Sequence, residues 1–167
     1  MSAARLPAQA PATADQGFLL DTSVISALAP GREKHLPADV AAWLHVHDSQ
    51  FFVPSIAVTE LAQGIAKLHR SGGTERAGRL DIWLDRLIAG FGDRILPLDP
   101  PTARLAGQIS DAAVAIGRHP GFADVAIAAM ARQNSLLLLT RNLKHFQPLG
   151  VACADPFKKL PLRVPSP

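Results

Sequence analysis

Short apolar runs alternate along this chain with stretches in which apolar residues recur every three or four positions. Phe18–Leu20 is a three-residue apolar run with a strand-like look. Residues 39–48, DVAAWLHVHD, read as a short helix with Val40, Trp43 and Leu44 at helical spacing. FFVPSI (51–56) is a second strand candidate, with Pro54 placing it at an edge or a strand end. From Ala57 the pattern becomes helical, with Leu61, Ile65 and Leu68 on one stripe, and Ser71-Gly72-Gly73 ends it. Glu75–Phe91 carries Leu80, Leu84, Leu87 and Phe91 on one helical face. Ile95–Leu98 is a third strand candidate, and Pro100-Pro101 open a helix, because the missing proline N–H has no partner to lose in a first turn. An HPGF loop leads into the apolar helix ADVAIAAMARQN. SLLLLTRN then has the continuous apolar core of a strand buried on both faces. A last short strand is expected around Val151–Ala154.

Strands alternating with helices, and no hairpin dipeptide between strands, predict an α/β domain with a mainly parallel sheet covered by helices on both faces. The 167 residues fit one domain. Its expected bounds are 17–157, after an Ala/Pro-rich disordered leader (1–16) and before a Pro-rich tail (158–167). A hydrophobic content of 48% and mean hydropathy of +0.15 exclude a mainly disordered chain. The leader lacks the apolar core of a signal peptide, and no apolar run approaches the roughly 18 residues that span a bilayer. One cysteine, Cys153, forms no internal disulfide, so a cytoplasmic protein is expected. The net charge of +3 permits a nucleic-acid partner without demanding one.

Functional groups of parallel sheets gather beyond the carboxyl ends of the strands, and polar residues from four distant segments fall there. Asp21 directly follows FLL. Glu60 opens the helix after FFVPSI, Asp124 opens the apolar helix, and Thr140, Arg141 and Asn142 follow LLLL. Each acid has an ordinary structural reading, as a helix cap or a first-turn carboxylate. Their shared rim argues for more. Three carboxylates gathered in one partly buried place repel one another, and a hard divalent cation such as Mg²⁺ or Mn²⁺ relieves that repulsion. A metal site for phosphoryl chemistry is the expectation, with Asp21, Asp124 and Glu60 as ligands. Asp99, ahead of Pro-Pro, reads as a helix cap. His45 and His47 would face different sides of a helix, and His145 has no evident partner, which gives it a surface or packing role. Trp43 and Trp83 read as core. Arg118, His119, Arg141 and Lys144 lie near this rim in sequence, where each either holds nucleic-acid phosphates or is a solvated surface charge.

The series LLDTSVISAL, SIAVTELAQGI, RILPLDPPTARLAGQI, FADVAIAAMA and LLLLTRNLKHF resembles the PIN-domain proteins, in particular the VapC/FitB-like toxins of bacterial type II toxin–antitoxin systems. The resemblance covers about Phe18 to Phe157, with the motifs in family order. It implies a three-layer α/β/α sandwich and a Mg²⁺- or Mn²⁺-dependent endoribonuclease acting on structured RNA such as tRNA or rRNA. The family's acids map onto Asp21, Glu60 and Asp124, and its fourth acidic position falls on Asn142, with Thr140 as a supporting hydroxyl. An amide at 142 adds no charge and cannot act as a base. The resemblance further implies a VapB- or FitA-like antitoxin, a homodimer and a toxin–antitoxin hetero-oligomer. One rival is a PIN-fold binding module for RNA or an antitoxin, weak or inactive because of Asn142. A haloacid-dehalogenase-like phosphatase is more distant, since its second Asp would stand where Ser23 does.

Overall fold

In the computed structural model, which describes residues 17–161, the sheet grows outward from a central strand buried on both faces. Strand β1 (Phe18–Leu20) sends Phe18 and Leu20 into one core and Leu19 into the other, as the two-residue period of a strand requires. Strand β4 (Leu137–Leu139) lies beside it and divides Leu138 and Leu139 between the same two cores. With β2 (Phe51–Pro54), β3 (Ile95–Leu96) and β5 (Cys153–Ala154), the order is β3-β2-β1-β4-β5, and every described pairing is parallel. The expected α/β/α sandwich is the observed one. The expected leader lies outside the described residues, as do residues 162–167 of the tail.

Helices α1 (Thr22–Ala27) and α2 (Ala38–Val46) cover one face through Val24, Ile25, Val40 and Leu44. Trp43 belongs to that core, its ring edge-on to Phe18 at 5.1 Å between centroids. Helices α5 (Pro100–Ala115) and α6 (Phe122–Gln133) cover the other through Ala106, Ile109 and an unbroken buried run from Val125 to Ala131. Helix α3 (Ser55–Arg70) follows β2 and packs on α4 (Thr74–Phe91) through Ile65, Ala77 and Leu84. A four-residue helix, α7 (Leu143–Phe146), follows β4, too short for its periodicity to be read from sequence. Among the described residues no helix is long and apolar enough to cross a membrane.

Several boundaries differ from expectation: α2 is Ala38–Val46, β2 ends at Pro54 and β5 is Cys153–Ala154. Helix α3 starts at Ser55 rather than Ala57, directly after Pro54 closes β2, so Glu60 stands in its second turn. Strand β3 stops at Leu96 rather than Leu98 because Pro97 has no N–H to give the ladder. Asp99 caps α5 as expected, accepting from the Thr102 N–H at 2.9 Å. The Thr102 hydroxyl and N–H hold its carboxyl below the ordinary value.

Gly17 is set by its surroundings. Its φ is +95°, its carbonyl accepts from Leu137 N–H, and a Cβ there would lie 2.8 Å from the Gln50 carbonyl oxygen. Gly31, at φ +82°, faces open space. Gly31→Ala should therefore cost about 1 kcal/mol of backbone strain, and Gly17→Ala distinctly more; urea denaturation of both variants checks the order. For Asp99→Ala the expectation is pH-dependent. A depressed folded-state pKa adds stability above the unfolded value near 3.8, lost as pH falls through the folded value. The variant should melt below wild type at neutral pH and converge with it in strong acid.

Candidate active site

Where β1 ends, the sheet order turns back: β2 lies on one side of β1, and β4, much later in sequence, on the other. Such a switch point opens a crevice at the carboxyl edge. Asp21 directly follows β1 at that edge and is only 4% exposed. Its N–H continues the ladder to Leu139 O at 2.9 Å, and its side chain caps α1. The cap and the site are thus one residue. Oδ2 receives the Ser23 hydroxyl at 2.6 Å, the Thr140 hydroxyl at 2.8 Å and, more weakly, the Ser23 N–H at 3.4 Å.

Both hydroxyls also accept. Ser23 Oγ takes the Arg141 N–H at 3.0 Å, and the fully buried Thr140 Oγ1 takes the Asn142 N–H at 3.0 Å. The loop after β4 is thereby sewn to the end of β1. Thr22, between the two, donates its hydroxyl to Glu60 Oε2, which ties α3 to the same junction.

Asp124 reaches the rim differently. The N-cap of α6 is Gly121, so Asp124 is a first-turn acid and not the cap. Its Oδ2 is 3.2 Å from His145 Nδ1; the carboxylate oxygen accepts, so Nδ1 carries the proton. His145 therefore has the partner its sequence did not reveal. Arg118, His119, Lys144, Asp124 and His145 line an open cleft of about 330 Å³. Glu60 instead opens on a cleft of about 230 Å³, with Arg32, Arg76 and Trp83. Asn142 is exposed and its side chain makes no cap, its contributions being backbone ones: its N–H to Thr140 Oγ1 and its carbonyl to the His145 N–H. Arg141 lays its guanidinium over the Phe157 ring at 4.9 Å.

Of the residues expected from sequence, Asp21 and Thr140 touch directly, and Asn142 joins them through its backbone. Glu60 is linked through Thr22, and Asp124 through His145 alone. Among the described residues no three His, Cys, Asp or Glu side chains stand close enough to enclose one ion. Thr22, Ser23 and His145 are the partners of the candidate acids that sequence reasoning missed. The hydroxyl pair was visible in DTS; His145 was marked only by lying one helical turn beyond Asn142.

The carboxylates share one feature. Asp21 Oδ2, Glu60 Oε2 and Asp124 Oδ2 are each held by a protein donor, while the second oxygen of each has no hydrogen-bond partner among the described residues. No fully buried side-chain oxygen or nitrogen among the described residues lacks a partner, so none of these second oxygens is completely enclosed, although Asp21 as a whole is only 4% exposed. Three acids from three elements each present one anchored and one available oxygen.

The family model of the PIN domain matches residues 18–148. This chain belongs to the PIN-domain family. The PIN domain here is 35% identical over 145 residues to Toxin FitB of Neisseria gonorrhoeae, covering 84% of this chain and 98% of that one. It is 30% identical over 135 residues to the tRNA(fMet)-specific endonuclease VapC of Shigella flexneri, covering 80% and 92%. Among solved structures it superposes on FitAcB from Neisseria gonorrhoeae with a TM-score of 0.71 at 34% identity, over 84% of this chain and 98% of that chain. DNA-bound VapBC from Salmonella typhimurium gives 0.64 at 27%, over 83% and 97%.

The PIN domain's junction makes a stability prediction. Thr140→Val keeps the shape but leaves the Asn142 N–H without its acceptor and removes one donor from a buried carboxylate. A loss of about 1–3 kcal/mol is expected, seen as a lower urea midpoint at unchanged slope.

Proposed function

We propose that this PIN domain is a metal-dependent endoribonuclease and the toxin of a toxin–antitoxin pair, working in the cytoplasm. The observation that carries the reading is the set of three anchored carboxylates, each with one oxygen available. The relatives named as a toxin, a ribonuclease and an endonuclease support it.

The donor set suits Mg²⁺ or Mn²⁺, being oxygen throughout. Mg²⁺ commonly takes one or two carboxylates, keeps several waters and completes its shell with substrate phosphates. That habit agrees with acids too dispersed to enclose an ion alone. Asp21 and Asp124 would hold the cation directly, with Glu60 holding it through water. A bound cation supplies Lewis-acid stabilisation of the charge that builds on the phosphate oxygens and makes its water more acidic. The remaining roles belong to the chain. Glu60, steadied by Thr22, orients the attacking water. Thr140 and Ser23 keep the Asp21 carboxylate aimed. Arg118 and Lys144, beside Asp124, hold the RNA backbone through its phosphates, and Arg141 extends that basic rim, so binding weakens with salt. Asn142 adds an amide and no charge. A VapB/FitA-like antitoxin would restrain the activity, in a hetero-oligomer built on a toxin homodimer.

A second reading, a PIN-fold module that binds RNA or an antitoxin without cutting, draws on Asn142 and on the occupation of Asp124 by His145. Total cellular RNA incubated with antitoxin-free protein in Mg²⁺, Mn²⁺ or EDTA separates the two. The nuclease reading expects discrete fragments that need metal and form on the order of 100-fold more slowly with Asp124→Asn. A folded protein that cuts nothing in either metal overturns it.

A further inference from the structure

His145 is 47% exposed, and an exposed ion pair contributes little stability. Its placement is nonetheless tightly determined. Phe146, the next residue, is fully buried in the core. The His145 N–H donates to Asn142 O at 2.9 Å, closing the turn of α7. Asn142 N–H in turn donates to Thr140 Oγ1, which donates to Asp21 Oδ2. One continuous path therefore runs from Asp21 through Thr140, Asn142 and α7 to the imidazole that meets Asp124. Both ends of the path are acids of the proposed site, and among the described residues His145 is the sole hydrogen-bond partner of the Asp124 side chain.

We infer that His145 is a positioning residue: through its Nδ1–H it fixes the Asp124 carboxylate by Oδ2 and leaves Oδ1 presented to the divalent cation. The inference rests on the metal-dependent reading above and deepens it. Donors that orient a ligating carboxylate raise metal affinity, and their removal typically costs about 10–100-fold in affinity. His145 thus does for Asp124 what Ser23 and Thr140 do for Asp21. A single side chain compensates for the freedom of an acid only 30% exposed yet lacking any other hydrogen bond among the described residues.

The test is Mn²⁺ binding to the full-length purified protein, followed by the electron paramagnetic resonance of free Mn²⁺. His145→Ala should weaken binding about tenfold or more, with metal-free melting unchanged. His145→Asn, whose amide N–H falls near the position of Nδ1, should recover most of the affinity. In metal-free protein, Asp124→Asn should shift the ¹⁵N resonance of His145 Nδ1. Mn²⁺ affinity unaltered in His145→Ala, or unrescued in His145→Asn, overturns the positioning role. A wild-type protein that binds no Mn²⁺ overturns the metal reading itself, an outcome distinct from either.

Discussion

The hydrogen bond from Thr140 Oγ1 to Asp21 Oδ2 is the contact on which the rim depends. Burying a carboxylate is costly unless donors meet it, and Asp21 is almost wholly removed from solvent. The sheet register supplies the answer. Leu20 pairs with Leu139, so the residues that follow, Asp21 and Thr140, leave the sheet side by side although 119 positions separate them in the chain. The hydroxyl that satisfies the acid also accepts the Asn142 N–H, which starts α7. Stability and site geometry are therefore one property here. A change that loosens the β1–β4 junction loses the cap of α1, the entry to α7 and the aim of Asp21 together.

The fold was legible because its core is monotonous. FLL had a strand-like look, LLLL read as a strand buried on both faces, and Val125–Ala131 as a helix buried nearly all round. Prolines set the limits: Pro54 closes β2, Pro97 stops β3 and Pro100 opens α5. The site was legible only as a list. Sequence placed Asp21, Glu60, Asp124 and Thr140 on one rim, since strand ends and helix starts suffice for that. It could not show that Thr22 serves Glu60 while Ser23 serves Asp21, because adjacent side chains diverge by an amount only the local turn decides. Nor could it pair His145 with Asp124, which requires the packing of α7 on α6.

Glu60 and Asp124 open on separate clefts. Glu60 faces Arg32 and Arg76, and Asp124 faces Arg118 and Lys144, so each lies within a basic lining of its own. In the proposed nuclease, Asp21 and Asp124 would hold the cation, and Arg118 and Lys144 line the cleft beside Asp124. Under the proposed function, a phosphate backbone in that cleft would meet Arg118 and Lys144 beside Asp124. The modest charge of +3 is thus less informative than its distribution.

Asn142 takes its meaning from the same arrangement. A fourth carboxylate at that exposed position would add charge to a rim where Asp124 already relies on a single imidazole. The amide adds none, and repulsion in the metal-free state falls accordingly. If the proposed cation binds, the cost is one formal charge fewer to attract it, which would place a larger share of affinity on how well the remaining carboxylates are aimed. In the proposed metal site, with three acids instead of four, the donors Ser23, Thr140 and His145 would matter more, because orientation would substitute for charge.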